Sequence, residues 1–336
     1  MSTLRVVQVS ESAFSVQGHG VHTAFVETVR GLGQLENVEV VENSFARADI
    51  RHIHTFGGYG LAQLLFGRGK KVVSAHVVPA SLVGSIVGAK YWLGVAKWYL
   101  RWFYNRADVL IAVSDETKRE LEALGVHTRI EVIYNMVDTS RYAVTPADKT
   151  AAREKYGVAQ DAFVVIGNGQ VQPRKRVDTF VRMARELPDM LFIWVGGMPF
   201  GKAAAESSEM QRLIDTAPAN VRFTGVVSLE EVQRYLAIGD VFVMTSQQET
   251  FGLAVVEAAA SGLPVVLRDL PDYDQTFRPD AVMCGEDEFA TALQKLHADP
   301  AYYRQMSAHA AQLAARYDSA TIARQLVGVY ETLREG

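Results

Sequence analysis

Two carboxylates, Glu249 and Glu257, stand eight residues apart in Glu249-Thr-Phe251-Gly252-Leu253-Ala-Val-Val-Glu257, directly behind the apolar run Val241-Phe-Val-Met-Thr245. This order reads as a buried strand, a polar turn from Ser246 to Thr250, and a helix opening at Gly252. The amides of Phe251, Gly252 and Leu253 then lack helical partners, and such amides favour an anion. Glu249 falls in the loop ahead of the helix and Glu257 about a turn and a half inside it. The pair can therefore accept hydrogen bonds from hydroxyls on either side of an anion at the helix mouth. A diphosphate with a sugar at one end and a ribose at the other has that layout, so the expected ligand is a nucleotide sugar. The same spacing also suits two unrelated glutamates on a solvated helix, and the rest of the chain has to decide.

The elements that must position these groups alternate between short β-rich runs and helical patterns, which predicts an α/β fold with parallel sheets covered by helices. Strands are expected near Leu4 to Val9, Val38 to Val41, His52 to Thr55, Lys71 to Ala75, Val109 to Val113 and Ile130 to Ile133. After a linker from Asn135 to Asp148, the alternation repeats at Phe163 to Ile166, Leu191 to Val195, Val221 to Phe223, Val241 to Met244 and Pro264 to Leu267. Helical sequence follows from about Glu286. We expect two Rossmann-like doubly wound domains facing a cleft, residues 1–148 and 149–318, with a last helix in 319–336. Ligands of such sheets bind beyond the carboxyl ends of the strands.

Composition agrees. A chain of 336 residues, 49% hydrophobic with Gly 26 and Pro 10, suits two globular domains. The single cysteine, Cys284, forms no internal disulfide, and Met-Ser-Thr-Leu-Arg leads into Val6-Val-Gln-Val9 without a secretory pattern. A cytoplasmic location is expected. The uncharged stretch from Val72 to Ala89 carries His76, Pro79, Ser81, Gly84 and Gly88, which argues against a spanning helix.

Charge is polarised. From Ile50 to Ala107 there is no Asp or Glu, while Arg51, Arg68, Lys70, Lys71, Lys90, Lys97, Arg101 and Arg106 give that window +8 in a chain of net charge −4. At 100° per residue Lys90, Lys97 and Arg101 form one stripe of a helix, with Tyr91, Trp98 and Trp102 beside it and Leu93, Leu100 and Tyr104 on the other flank. Aromatic residues beside a basic stripe suit an anionic membrane surface. A core helix with an ordinary solvated face, or a basic groove for a soluble polyanion, has the same pattern.

Four runs occur in the order seen in retaining glycosyltransferases of the GT-B fold, family 4: Gly167-Asn-Gly169-Gln-Val-Gln-Pro-Arg174-Lys175, Trp194-Val-Gly196-Gly197, Arg222-Phe-Thr-Gly225-Val-Val, and Glu249 to Glu257. Gly18-His-Gly20, Asn135-Met-Val-Asp138 and a final helix of the kind that crosses back onto the first domain extend this resemblance over nearly the whole chain. More narrowly, Phe200-Gly201, Val266-Leu-Arg268-Asp-Leu270 and His76-Val-Val-Pro79 with Gly84-Ser85 resemble bacterial enzymes that add a second hexose to monoglycosyl diacylglycerol.

The resemblance implies transfer of glucose or galactose from a UDP-hexose to a membrane glycolipid, with retention and no metal. Arg174 and Lys175 would bind the diphosphate, and Gly18, Gly20 and Gly169 would let backbone approach the phosphate or hexose. Glu249 would hold a donor hydroxyl, Gly225 and Val226 the uracil, and Glu257 the ribose. His76 would line the sugar and acceptor side. No nucleic-acid partner is expected. The chain departs from the family pattern at two positions: Gln170 stands where many relatives have arginine, and Arg176 where a glycine usually follows the lysine.

Asp272-Tyr-Asp274 has the form of a metal-holding Asp-x-Asp but is read here as a loop, and Gly167-Asn-Gly169 runs into Arg174 and Lys175 where a dinucleotide fingerprint would continue into a glycine and a helix. The alternatives to a glycolipid hexosyltransferase are a family 4 enzyme with a soluble or polysaccharide acceptor, a nucleotide-sugar epimerase or NAD-linked oxidoreductase, and a non-catalytic UDP-sugar-binding protein.

Overall fold

A computed structural model describes residues 3–13, 20–78, 89–198 and 207–336, without the side chains of 89–92, 207 and 272. Gly18, His19, Pro79, Gly84, Ser85, Phe200 and Gly201 lie outside the described residues, as do the side chains of Lys90, Tyr91 and Asp272. The chain divides into two compact units, the described parts of Met1–Val83, Gly88–Asp138 and Tyr317–Gly336 forming one and Thr139–Arg316 making up the described part of the other.

The first unit contains β1 (Leu4–Val9), α1 (Gly20–Gly33), β2 (Val38–Glu42), β3 (Ile50–Ile53), α2 (Gly58–Phe66), β4 (Lys70–Ala75), α3 (Ala89–Tyr104), β5 (Val109–Ala112), α4 (Asp115–Ala123) and β6 (Ile130–Val132). These strands form one sheet in the order β2-β1-β3-β4-β5-β6, every pairing parallel. Successive residues of such strands face opposite layers, and both layers are buried, so the strands read as nearly continuous Val and Ile. Val6, Ile50, Val72, Val109 and Ile111 pack with Leu32 of α1 on one side, while Val7, Ile53, Val73 and Leu110 pack with Leu64 of α2 and Leu100 and Phe103 of α3 on the other.

The second unit contains α5 (Pro146–Lys155), β7 (Val164–Asn168), α6 (Val177–Glu186), β8 (Leu191–Val195), α7 (Ser207–Asp215), β9 (Val221–Phe223), α8 (Leu229–Ile238), β10 (Val241–Met244), α9 (Leu253–Ala260), β11 (Val265–Arg268), β12 (Val282–Cys284), α10 (Phe289–Ala298) and α11 (Pro300–Arg316). Its strands run β12-β11-β10-β7-β8-β9, again all parallel. Phe180 and Met183 of α6 and Leu293 of α10 cover Val165, Phe192, Trp194, Val241 and Val266. The last helix, α12 (Ser319–Glu335), belongs to the first unit, where Ile322, Ala323, Leu326 and Tyr330 close the layer over Val6 and Val72.

Each sheet reverses its strand order once, between β1 and β3 in the first unit and between β7 and β10 in the second. At such a switch point the flanking connections leave in opposite directions and open a crevice at the strand carboxyl ends.

Three local expectations are corrected. β12 was not expected: it is three residues long, and only Cys284 of it is buried. The stretch from Asn135 to Asp148 is not bare linker, since it holds a 3-10 turn at Thr139–Tyr142 and the first turn of α5. Thr145 and Asp148 close a reciprocal capping box there, with Pro146 in the first turn, so the helix starts earlier than its apolar pattern suggests. The third strand is Ile50–Ile53 and not His52 to Thr55, because Asp49 anchors its beginning by accepting from the Arg5 amide at 2.8 Å.

Candidate active site

In the second unit the site grows from the ends of β7 and β10, on either side of the switch point. Gly169 leaves β7 with φ +142° and Gly196 leaves β8 with φ +131°, both in the region that favours glycine. Their backbones touch: a Cβ on Gly196 would lie 2.2 Å from the Gly169 carbonyl oxygen, and Trp194 Nε1 donates to that oxygen at 2.9 Å. A Cβ on Gly169 would meet Lys175 Cε at 3.2 Å, so the glycine leaves the channel through which the lysine runs.

Lys175 closes the 3-10 turn Pro173–Lys175, and that turn is tied across the sheet to the strand that precedes Glu249. Thr245 Oγ1 donates to the Lys175 carbonyl at 2.8 Å, and the Gln247 amide donates to the Arg174 carbonyl at 2.8 Å. Lys175 Nζ thereby reaches Glu249 Oε1 at 2.5 Å, Arg174 Nη1 stands 3.7 Å from Glu249 Oε2, and Arg174 Nη1 also donates to the Gln248 carbonyl at 3.2 Å. Three expected site residues form one cluster, although Lys175 and Glu249 are 74 positions apart in sequence.

Glu249 and Lys175 are nearly inaccessible, their side chains 8% and 10% exposed, while Arg174 keeps 24%. Burial disfavours the charge on Glu249, but Lys175 and then Arg174 outweigh it, and the carboxyl stays below its ordinary range. Burial lowers Lys175, with Glu249 opposing the shift and Arg174 reinforcing it. Two cations and one carboxylate leave this three-residue cluster net positive.

α9 begins beside the cluster. Gly252 is its N-cap in the left-handed region (φ 92°, ψ 55°), and no side chain caps it. Phe251 and Leu253 are buried, with the Phe251 ring 5.4 Å from that of Phe277, so these two positions offer their backbone and not their side chains to a ligand. Glu257 lies one turn inside α9 and is also buried. Gly225 has φ +71°, Val226 is exposed, and a Cβ on Gly197 would stand 2.8 Å from the Val226 amide nitrogen. Gly197 therefore lets the Gly225 to Val226 backbone come close.

The two departures from the family pattern have distinct consequences. Gln172 Nε2 donates to Gln170 Oε1 at 2.6 Å, and Arg174 Nε donates to Gln172 Oε1 at 3.3 Å, so Gln170 braces the arginine through a relay of amides. Arg176 has φ 49°, a left-handed conformation that explains why glycine is usual there and that costs an L-residue about 1 to 2 kcal/mol. Its guanidinium donates to Asp178 at 2.9 Å and to Glu286, and these hydrogen bonds, first that to Asp178, raise its pKa. Glu286 also holds Arg268 at 3.3 Å, whose Nε donates to the Thr245 carbonyl at 2.8 Å. Thr245 and Glu286 were missed in the sequence, where nothing local marks them, and Arg268 was quoted only within the run Val266 to Leu270, without a role.

Asp274 of the Asp-x-Asp run pairs with Arg278 at 2.8 Å, and Tyr273 between the two aspartates is buried. Among the described residues no group of three or more His, Cys, Asp or Glu side chains is arranged to hold a metal ion. Cys284 is buried, which pushes its thiol up to about 12.

In the first unit Gly20 opens α1, with nothing within 4 Å of where its Cβ would stand. His76 directly follows β4 and is buried, its Nε2 3.0 Å from His54 Nδ1. His54 Nε2 lies 2.8 Å from Gln8 Oε1, Gln8 Nε2 donates to the Tyr330 hydroxyl at 3.3 Å, that hydroxyl lies 2.6 Å from His52 Nδ1, and His52 Nε2 lies 2.7 Å from Ser74 Oγ. Burial first, and then the other histidines, hold His54 well below the usual histidine range and push His52 down to about 3. The strand alternation of His52 and His54, two polar rings on one face, is the signal that could have pointed to this network.

The expected basic helix is α3. It exposes Val95, Lys97, Trp98 and Arg101; Trp98 and Trp102 stack at 6.4 Å, and Arg106 lies 3.7 Å over the Trp102 ring. Leu100 and Tyr104, expected on a flank of the surface stripe, are instead core residues, and Tyr104 donates to the Val77 carbonyl at 2.6 Å. Arg51 is also internal, fully buried and held by Gln63 and the carbonyls of Ser44, Ala46 and Arg68, so the surface of this window carries less charge than its +8. Among the described residues no helix is long and apolar enough to cross a membrane.

Comparison with known proteins matches residues 18–141 to the model of Glycosyltransferase Family 4 and residues 148–313 to that of Glycosyl transferases group 1. The alpha-galactosylglucosyldiacylglycerol synthase of Streptococcus pneumoniae is 32% identical over 98% of this chain and 89% of its own. The processive diacylglycerol alpha-glucosyltransferase of Acholeplasma laidlawii is 29% identical over 62% of this chain and 64% of its own. Anabaena Alr3699/HepE, solved with UDP and glucose, superposes with a TM-score of 0.77 at 18% identity, over 98% of this chain and 99% of that one, which shows a shared fold. With two parallel six-stranded sheets and a relative this similar over nearly its full length, the chain belongs to the GT-B glycosyltransferases of family 4, and resembles the diglycosyl diacylglycerol synthases among them.

Proposed function

We propose that this glycosyltransferase moves a hexose, glucose or galactose, from a UDP-sugar to a membrane glycolipid of the monoglycosyl diacylglycerol class, with retention of configuration. The observation that carries the donor assignment is the Lys175, Arg174 and Glu249 cluster at the β7 and β10 switch point beside the uncapped start of α9. Arg174, Lys175 and the α9 amides offer positive charge to a diphosphate before and after its bond to the sugar breaks. Glu249 holds a hexose hydroxyl, Glu257 the ribose, and the Gly225 to Val226 backbone the uracil. UDP and glucose in the related-fold Anabaena protein and the lipid products named for the two relatives support this choice of donor and acceptor.

A retaining path through a covalent intermediate needs a nucleophilic carboxylate and a second one about 5 Å away. Glu249 is gripped by two cations, which weakens it as a nucleophile. Front-face substitution fits better: the acceptor oxygen bonds to C1 as the C1–phosphate bond breaks, and the acceptor proton passes to the leaving phosphate. Departing charge falls where Arg174 and Lys175 stand, which favours the transition state over the ground state. His76 lines the sugar and acceptor side.

In this reading the first unit forms the acceptor and membrane side and the second, which begins at Thr139 and not at residue 149, the donor side, and the enzyme works without a metal, peripherally on the inner face of the cell membrane. Lys97, Arg101, Trp98 and Trp102 of α3, with Lys90, supply the contact with an anionic surface. Calorimetric titration with UDP, UDP-glucose, UDP-galactose and NADH tests the donor: the uridine ligands bind and NADH does not. Binding of NADH alone would overturn the assignment. Activity should persist in EDTA, and its loss with recovery on adding manganese would overturn the metal-free mechanism.

A further inference from the structure

We propose that Glu286 is a positioning residue for Lys175: with Arg176, Arg268 and Thr245 it closes a circuit of hydrogen bonds across the carboxyl ends of four neighbouring strands, and the circuit fixes the turn from which Lys175 meets the donor's diphosphate. The proposal rests on the phosphate role given to Lys175 above and adds the groups that hold it in place.

The circuit closes atom by atom. Glu286 stands two residues beyond β12, Arg268 ends β11, Thr245 directly follows β10, and the turn Pro173–Lys175 follows β7. These strands are neighbours in the order β12-β11-β10-β7. Glu286 accepts from Arg176 Nη2 on one carboxylate oxygen and from Arg268 Nη1 on the other, the latter at 3.3 Å. Arg268 Nε donates to the Thr245 carbonyl at 2.8 Å, and Thr245 Oγ1 donates to the Lys175 carbonyl at 2.8 Å. The peptide bond from Lys175 to Arg176 completes the loop. Two further bonds seat it on α6: Arg268 Nη2 donates to Thr179 Oγ1 at 3.4 Å, and Arg182 Nη2 donates to the Glu286 carbonyl at 2.7 Å. Thr245, Thr179 and Arg268 are buried, where water competes least for such bonds.

Arg176 is the member that departs from the family pattern, and its energetics separate positioning from stability. At φ 49° and ψ 48° it carries a strain that a glycine would not. Its ion pairs return little, because Glu286 is 39% and Asp178 51% exposed. Strain and pairing roughly offset, so fold stability does not explain the circuit. Strain held by its surroundings gathers at functional sites, and here it sits next to Lys175. A glycine at 176 would leave the joint between the 3-10 turn and α6 free to swing, and Lys175 with it. With the circuit closed, Thr245 holds the Lys175 carbonyl and Arg176 the following residue, while the side chain runs past Gly169 to Glu249. An ammonium fixed before the donor arrives loses less freedom on binding. The hydrogen bond from Arg176, before any other cause, holds the Glu286 carboxyl below its ordinary range, so both of its oxygens remain acceptors.

The test titrates the full chain with UDP and with uridine, which lacks the diphosphate, and follows each variant's unfolding in denaturant. Glu286→Gln has one acceptor oxygen, serves one arginine only and opens the circuit. Arg176→Gly also opens it but relieves the strain, and should be about as stable as the wild type. The two changes shift the local charge in opposite directions, so a simple field effect would tighten UDP in the first and weaken it in the second. An opened circuit should weaken UDP about fivefold in both, the equivalent of one hydrogen bond, and leave uridine unchanged. In a Lys175→Met background neither change should weaken UDP further, because the circuit acts through Lys175. UDP affinity that rises with Glu286→Gln, a matching loss for uridine, or losses that persist undiminished without Lys175 overturn the circuit. Equal UDP affinity in the wild type and Lys175→Met overturns the phosphate role of Lys175 and this proposal with it, whereas a loss at Lys175→Met with none at Glu286→Gln or Arg176→Gly overturns the circuit alone.

Discussion

Both sheets place buried polar groups at the switch point of their strand order, and they solve the cost of burial in opposite ways. The first unit keeps His52 and His54 neutral and links them in a relay of hydrogen bonds from His76 to Ser74. The second keeps its groups charged and pairs Lys175 with Glu249 at 2.5 Å. A neutral relay can hold hydrogen-bonding groups in place but does little for a diphosphate, whereas a net positive cluster attracts one and stabilises its departure. The proposed function accordingly gives the anion to the second unit and hydrogen-bond recognition to the first.

Breaking the charged pair should have the largest effect. Glu249→Ala leaves Lys175 buried without its partner, which costs about 3 to 5 kcal/mol in denaturant unfolding, and transfer should fall below detection while UDP still binds. Adding Lys175→Met should recover stability but not transfer. Recovery of transfer in the double variant would make the cluster structural only. Within the same unit, Glu257→Ala should weaken UDP by about 1.5 to 3 kcal/mol in calorimetry, since a charged hydrogen bond to a ribose hydroxyl is lost. Equal affinity would remove Glu257 from the ribose.

How much of this could be read in the sequence depends on how local the cause is. β10 has the same bounds in both readings because four buried apolar residues bounded by a polar turn have no competing period. The opening of α9 at Gly252 is likewise a property of one short run. The Lys175 and Glu249 pair is not local, because its partners meet only when β7 and β10 lie side by side. Resemblance named both residues, yet gave them separate roles and no contact. Arg176 stood out as a missing glycine, and its φ of 49° supplies the backbone reason. The relay was legible only in part: His76 was singled out, while Gln8, His52, His54 and Tyr330 were passed over because they are spread over β1, β3 and its end, and α12.

The neutral relay predicts smaller effects that sharpen the contrast. Tyr330→Phe should cost about 1 to 3 kcal/mol of unfolding free energy, because Gln8 and His52 each lose a buried partner. The two units also differ in acid. The folded pKa values of His52 and His54 lie below their unfolded value near 6.5, so below that pH the unfolded chain binds more protons. The stability of the relay is complete above about pH 6.5 and falls by up to about 1.4 kcal/mol per pH unit for each histidine as the pH drops. Glu249 also has a depressed folded pKa, but its contribution is lost only below its unfolded value of 4.5. Urea unfolding from pH 7 to 5 should therefore reveal a histidine slope, to which His22, also lowered by burial, contributes, and His52→Gln with His54→Gln should reduce it. A flat wild-type profile would mean that the histidines are not held neutral.

The smallest effect concerns α3. Lys97→Glu with Arg101→Glu should weaken flotation with anionic liposomes by about 1 kcal/mol for each basic side chain removed, and high salt should weaken the wild type similarly. Equal flotation of wild type and variant would move the membrane contact elsewhere or favour a soluble acceptor.

The most direct measurement crosses UDP-glucose and UDP-galactose with vesicles of monoglycosyl diacylglycerol and reads the lipid by mass spectrometry. The account predicts a lipid carrying one additional hexose from at least one donor, released UDP in equal amount, and neither product from Glu249→Ala. Tight UDP binding by the wild type with no hexose gained by any lipid or soluble acceptor would contradict it and leave a UDP-sugar-binding protein.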